Sequence, residues 1–187
     1  MKTLRVASII EWRKWLEQNH LNEREVWLEN PRTENGYMLD YIETVEEAIC
    51  FGWIDGIAKK SEESHMLQRF TPRKKNSNWT ELNKERARRL IRLGKMHPSG
   101  YSVCPDLDEK SFVIQPEVYK KIIEDEHVKS RFEALPDLYK RVRIGYIQEF
   151  RPGHPEFERR LANFIQQTKK GKMYGNWNDG GKLTNED

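Results

Sequence analysis

No apolar run in this chain approaches the roughly 20 residues needed to cross a bilayer. The opening MKTLRVASIIEWRKW also breaks into charge before a signal-peptide core could form, so the expected compartment is the cytoplasm. Cysteine is scarce: Cys50 and Cys104 stand far apart, without a CxxC or a His/Cys cluster, which suits a reducing compartment better than a disulfide framework and reads as two buried thiols. The histidines His20, His65, His97, His127 and His154 lack HExxH spacing and paired cysteines, so no metal site is expected. GxSxG, GxGxxG and P-loop patterns are absent, and the isolated Gly94-Lys95 lacks the rest of a phosphate-binding turn. No cofactor is implied, and nothing sets an oligomeric state.

Hydrophobic residues make up only 36% of the chain, yet six Trp, seven Tyr and seven Phe supply the large apolar surfaces that disordered chains lack. With 187 residues there is room for one domain carrying a helical extension and for a core that needs no staples. Charge is unevenly placed. From Arg69 to Lys95 ten Lys and Arg stand against Glu81 and Glu85, a local +8 within a chain of net +3.

Ser8 followed by Glu11 has capping-box spacing, and Ile9, Trp12, Trp15 and Leu16 recur at helical intervals, predicting a helix to about Asn19. Glu25 to Glu29 reads as a strand, followed by turn signals at Asn30-Pro31 and Asn35-Gly36. Ile42, Val45, Ala48 and Ile49 form the apolar stripe of a second helix that Gly52 stops. Trp53 to Lys60 then alternates as a strand, with Trp53, Asp55 and Ile57 on one face, and turns back through a charged segment into His65 to Thr71 as an antiparallel hairpin. A helix capped by Thr80 and ended by Gly94 carries Leu82, Ala87, Leu90 and Ile91 inward and Lys84, Arg88 and Arg92 on another face.

Met96 to Ile114 is less regular, and Pro116 opens a further helix. Beyond Leu135-Pro136 the stripes Leu138, Val142, Tyr146, Phe150 and Phe157, Leu161, Phe164, Ile165 flank a breaker-rich segment and predict a helical hairpin. The expected organisation is an α+β domain over 1–114 with a small antiparallel sheet, a helical module packed on it over 115–171, and a mobile tail over 172–187.

The runs ETVEEAICFGWIDG (Glu43 to Gly56) and QRFTPRKKNSNWTELNKERARRLIRLGKMHPSG (Gln68 to Gly100) resemble the bacterial YdeI/OmpD-associated family, which also carries a bacteriocin-protection label. EVWL at Glu25 to Leu28 is similar to that family's preceding strand, and FEALPDLYKRVRIGYIQEF at Phe132 to Phe150 resembles its C-terminal helical module. The resemblance implies a YjbR/CyaY-like two-layer domain followed by helices, and a link to stress or bacteriocin protection. It supplies no catalytic or binding residues. The loop ENPRTENGYMLDY departs from the family pattern in having no lysine.

Asp55 is the one candidate for catalysis, because a carboxylate in an apolar strand must be paired, exposed or functional. The structural alternative is an ion pair with Arg69 or another cation across the hairpin. RFTPRKKNSNW interleaves Arg69, Arg73, Lys74 and Lys75 with Phe70 and Trp79, the mixture that phosphate contact and aromatic stacking require. Lys84, Arg88 and Arg92 would extend that surface.

The leading expectation is a non-enzymatic binding protein engaging an anionic ligand, an acidic protein or nucleic acid through this basic strand–helix surface. The alternative is an enzyme on a small anionic substrate, with Asp55 as base or orienting group and Arg69 or Arg73 as clamp. A third reading is a scaffold presenting the helical hairpin from Asp137 to Lys170.

Overall fold

Ser8 caps helix α1 (Ile9–Asn19) by accepting the Glu11 amide at 3.3 Å, and the Glu11 carboxylate reciprocates by accepting the Ala7 amide at 2.8 Å. The helix buries Trp12 and Leu16 completely. Trp12 packs on Phe70 with ring centroids 5.1 Å apart, and its indole N–H donates to Thr44 O at 3.0 Å. The computed structural model in which these contacts are seen describes residues 2–34 and 36–185. The chain divides into two compact units, one running through Asn78 and including Arg86–Pro105, the other made of Trp79–Glu85 and the residues from Asp106 onward.

The first unit is α+β. Strands β1 (Thr3–Arg5) and β2 (Val26–Asn30) are followed by a two-stranded ribbon, β3 (Arg32–Thr33) and β4 (Gly36–Tyr37). Gly36 of the second turn signal opens β4, and Asn35 lies outside the described residues. Helix α2 (Tyr41–Cys50), capped by Asp40, leads into β5 (Trp53–Lys60) and β6 (Met66–Pro72). Between α2 and β5, Gly52 adopts φ +74°, the left-handed value that lets the chain reverse.

The main sheet has the order β1-β2-β6-β5. Its three longer strands are antiparallel, as expected, but β1 runs parallel to β2, so the sheet is mixed. Three residues of β1 are too short an alternation to be read from sequence.

Helix α3 (Glu81–Arg92) is capped by Thr80, whose hydroxyl accepts the Asn83 amide at 3.2 Å, and ends at Gly94 with φ +66°. A short helix α4 (Pro98–Tyr101) follows. Gly100 within it sits where a Cβ would lie 2.3 Å from Cys50 O, an approach only glycine permits.

The second unit is helical: α5 (Pro116–Ile123), α6 (Glu126–Glu133), and the predicted hairpin α7 (Asp137–Gln148) and α8 (Pro155–Lys169). Val118, Ile122, Phe132, Tyr139, Leu161 and Phe164 belong to its core.

Two expectations about organisation change. The segment after Gly171 packs: Trp177 meets Tyr139 edge-on at 5.4 Å, Tyr174 N donates to the Tyr139 hydroxyl at 3.3 Å, and Asp179 and Leu183 are buried. Glycine and asparagine there serve as turn formers around docked side chains. The boundary also falls near residue 105 rather than 114, and Trp79–Glu85 belong with the helices. Within that unit buried Glu85 accepts from Arg141 Nη2 at 3.2 Å, and the Glu81 side chain lies where a Cβ on Gly145 would be 2.9 Å away. Among the described residues no helix is long and apolar enough to cross a membrane.

Candidate functional site

A β-bulge in β5 shapes one side of a concavity in the first unit. Asp55 stands opposite Phe70 and Ala58 opposite Gln68, so β5 carries one residue more than β6 over this stretch. The extra residue breaks the predicted alternation. Ile57, expected to share a face with Trp53 and Asp55, is instead 66% exposed, while Gly56 and Ala58 turn to the same hollow as Gln68. The Gln68 amide fastens the bulge by donating to Gly56 O at 2.9 Å.

The opposite wall is set by Asn30 and Asp40. Asn30 at the end of β2 clamps Leu39 from both sides, donating to its carbonyl at 2.8 Å and accepting its amide at 2.9 Å. This pair closes the excursion that carries β3 and β4 and fixes Tyr37 and Leu39 over the sheet. Asp40 accepts the Glu43 amide at 3.0 Å, starting α2 one residue earlier than the apolar stripe predicts and making Tyr41 its first residue. Tyr41 then reaches across to β5, where its hydroxyl donates to Asp55 Oδ2 at 2.5 Å.

The result is a cavity of about 730 Å³ lined by apolar Leu28, Leu39, Ala58 and Met66 and by polar Asn30, Thr44 and Gln68. That volume lies within the range of small-molecule sites. Tyr37, Asp40 and Tyr41 complete the wall, and no Lys, Arg or His is among the described lining residues. The Thr44 hydroxyl donates to Tyr41 O at 2.7 Å, so it acts as a brace for the helix start.

The predicted site residues separate. Asp55 is half-buried and bonded to Tyr41, not to Arg69. Arg69 pairs with Glu25 at 2.6 Å and lies opposite Trp27 in the ladder, one residue out of step with inward-facing Gln68 and Phe70 and therefore on the other face of the sheet. Arg73 is buried, donating from Nη1 to Asn78 O at 3.3 Å; burial pushes its guanidinium down to about 10, with the Asp55 carboxylate opposing. Of the three, Arg69 stands apart, whereas Arg73 lies near enough to Asp55 for their charges to interact.

The basic surface contracts too. Phe70 and Trp79 are core residues rather than stacking platforms, and Arg88 is buried. Lys84 pairs with Glu81 at 2.7 Å, and Arg89 with buried Glu46 at 3.2 Å. Lys74, Lys75, Arg92 and Lys95 remain exposed.

Burial raises the Cys50 thiol to about 12, reinforced by Glu47 and opposed by Arg13; burial also raises Cys104. Neither is an activated nucleophile. Glu29, Glu63 and His65 bring one ligand atom each within 4.8 Å of one another and could hold a metal ion. His65 Nδ1 already lies 2.6 Å from Glu29 Oε1, a geometry that a hydrogen-bonded pair explains in full.

Tyr41, Gln68 and Asn30 were the residues sequence reasoning passed over. The available signals were Asp40 as a helix cap and Gln68 as a polar residue in phase with buried Phe70.

No curated protein and no solved structure matches the chain. A family model described as "Domain of unknown function (DUF8412)" matches residues 4–103, more than half of the chain and all of the segment that forms the cavity. The chain belongs to that family.

Proposed function

We propose that the family domain is a non-enzymatic binding module whose ligand enters the cavity between Tyr37, Tyr41 and the bulged face of β5. The observation that carries this reading is a hollow of about 730 Å³, lined in part by Leu28, Leu39, Ala58 and Met66, whose walls are held by Asn30, Gln68 and the Tyr41–Asp55 bond. Tyr37, Met38, Tyr41 and Ile57, on or beside that lining, are 40%, 44%, 49% and 66% exposed, an apolar concentration typical of binding surfaces. A small-molecule thermal-shift screen tests the reading, with Ala58→Trp as the filled-cavity control. Hits that stabilise the native chain and are lost in the variant support it; hits retained equally in the variant remove the cavity from the argument.

A second reading follows from Lys74, Lys75, Arg92 and Lys95, the exposed remainder of the basic segment. Through them the domain engages an anionic macromolecule, in keeping with the YdeI/OmpD-associated resemblance and its bacteriocin-protection label. Heparin retention that falls in Lys74→Glu/Lys75→Glu supports this reading, and retention unchanged by the double substitution defeats it.

A further inference from the structure

We infer that the cavity receives one apolar side chain of an extended peptide, which adds as a strand along the free edge of β5; this rests on the cavity reading above and assigns its ligand class. The sheet order β1-β2-β6-β5 leaves β5 with a neighbour on one side only. The ladder shows which of its backbone groups are free. Ser61 N donates to His65 O at 2.9 Å, next to the Lys60–Met66 pair. That pair and, two residues back, Ala58–Gln68 are therefore the non-hydrogen-bonded pairs of the antiparallel pattern. The N–H and C=O groups of Ala58 and Lys60 point away from β6, and they have no partner among the described residues. The whole run from Gly56 to Lys60 is exposed. Two residues of this kind, one position apart, offer an incoming strand a set of main-chain hydrogen bonds.

The side chains of that strand are specified by what stands opposite them. Leu28, Gln68 and Ala58 form one row across β2, β6 and β5, and all three line the hollow. A peptide residue opposite Ala58 extends the row, so its side chain falls on the face of the sheet that carries the cavity. There it meets a lining that includes Leu28, Leu39 and Met66, which suits an apolar group. The next peptide position on that face stands opposite Lys60, whose ammonium has no ion-pair partner among the described residues. A carboxylate there complements it. A second copy of this chain would instead bring its own Lys59 and Lys60 to the edge, and edge lysines and bulges are the features that discourage such self-pairing. The occupant is thus a peptide with an apolar residue and an acidic residue two positions away.

The probe is the acetylated, amidated peptide TDTLTDT, whose leucine has an aspartate two residues away on both sides and so suits either strand direction. Binding is followed through the backbone amide resonances of the full chain. Saturable shifts should centre on Ala58 and Lys60. TKTLTKT should bind about fivefold more weakly, Lys60→Glu should invert that preference, and TDTNTDT, which lacks the apolar anchor, should give no saturable shift. N-methylation of the leucine nitrogen removes a donor aimed at Ala58 O and should abolish binding. The same change on an adjacent threonine, whose N–H faces away, should leave affinity within about twofold. Equal binding of TDTNTDT, or indifference to the position of the N-methyl group, overturns the proposal. Shifts at the β5 amides on raising protein concentration alone give the edge to a second copy and overturn it too. Absence of any shift with TDTLTDT removes the peptide, while small-molecule hits lost in Ala58→Trp would still leave the cavity as a binding site for another ligand class.

Discussion

The Tyr41 hydroxyl and the Asp55 carboxylate meet at 2.5 Å, joining the first residue of α2 to the third residue of β5. The bond is charge-assisted but partly open to water, since Tyr41 is 49% exposed. Tyr41→Phe should therefore lower stability by about 1 kcal/mol, and Asp55→Asn by a similar amount. The double substitution should cost no more than the larger single one. Urea denaturation of the four proteins gives the coupling, and strictly additive losses would mean the bond contributes nothing.

Two glycines make opposite predictions. A Cβ on Gly100 would sit 2.3 Å from Cys50 O and 2.5 Å from Met96 Sδ, so Gly100→Ala should cost about 3 kcal/mol by forcing backbone apart. A Cβ on Gly56 would meet only Arg69 O at 3.8 Å, an ordinary contact. Gly56→Ala should change stability by less than about 1 kcal/mol while narrowing the cavity. Thermal melts of the two variants check the contrast, and a Gly100→Ala protein as stable as the parent would contradict the described packing.

His97 makes the first unit acid-sensitive. Burial lowers its pKa below the ordinary histidine value, with His20 and Arg13 adding to the effect and Glu17 opposing it. Its ring stacks on Phe51 at 4.9 Å, and its Nδ1 accepts the Ser99 amide at 3.2 Å, which only the unprotonated nitrogen can do. As pH falls, the unfolded chain takes up this proton first, so the contribution is full above about pH 6.5 and declines below it. His97→Asn keeps a cap for the Ser99 amide and removes the titration. Melting temperature followed from pH 8 to pH 5 should fall less steeply in the variant; parallel curves would assign the acid sensitivity elsewhere.

The basic segment should divide by environment rather than by charge. Arg89 faces buried Glu46 at 3.2 Å, so Arg89→Ala removes one charged hydrogen bond from a buried carboxylate and should destabilise by about 2 kcal/mol. Lys74→Ala and Lys75→Ala, at exposed positions, should change stability by less than about 0.5 kcal/mol. Chemical denaturation measures both. Equal effects at Arg89 and Lys74 would show that burial does not distinguish them.

Local signals carried most of the secondary structure. Ser8 with Glu11, the stop at Gly52, the β5–β6 hairpin, the Thr80 cap and the α7–α8 hairpin all appear where residue chemistry puts them. What stayed hidden was non-local. The bulge at Gly56-Ile57 shows itself only when β5 is laid against β6, and its effect is to reverse the side each residue faces. The charge cluster misled for a related reason: composition counts cations without revealing that Arg73 and Arg88 are buried and that Arg69 and Arg89 answer glutamates distant in sequence. The Asp55 carboxylate bonds a tyrosine, Tyr41, that apolar periodicity places just outside its helix, so this partner too is invisible to local pattern.

Helix α3 gives its first five residues to one compact unit and the rest to the other, so neither unit corresponds to an uninterrupted stretch of chain. A fragment ending at residue 103, where the family match stops, would retain Glu85 and discard its partner Arg141. The converse fragment, starting at residue 106, would keep Arg141 and lose Glu85. Either cut divides a buried ion pair between two fragments, so domain dissection by sequence boundary should yield pieces less stable than the whole, and functional mapping is better done by point substitution within the intact chain.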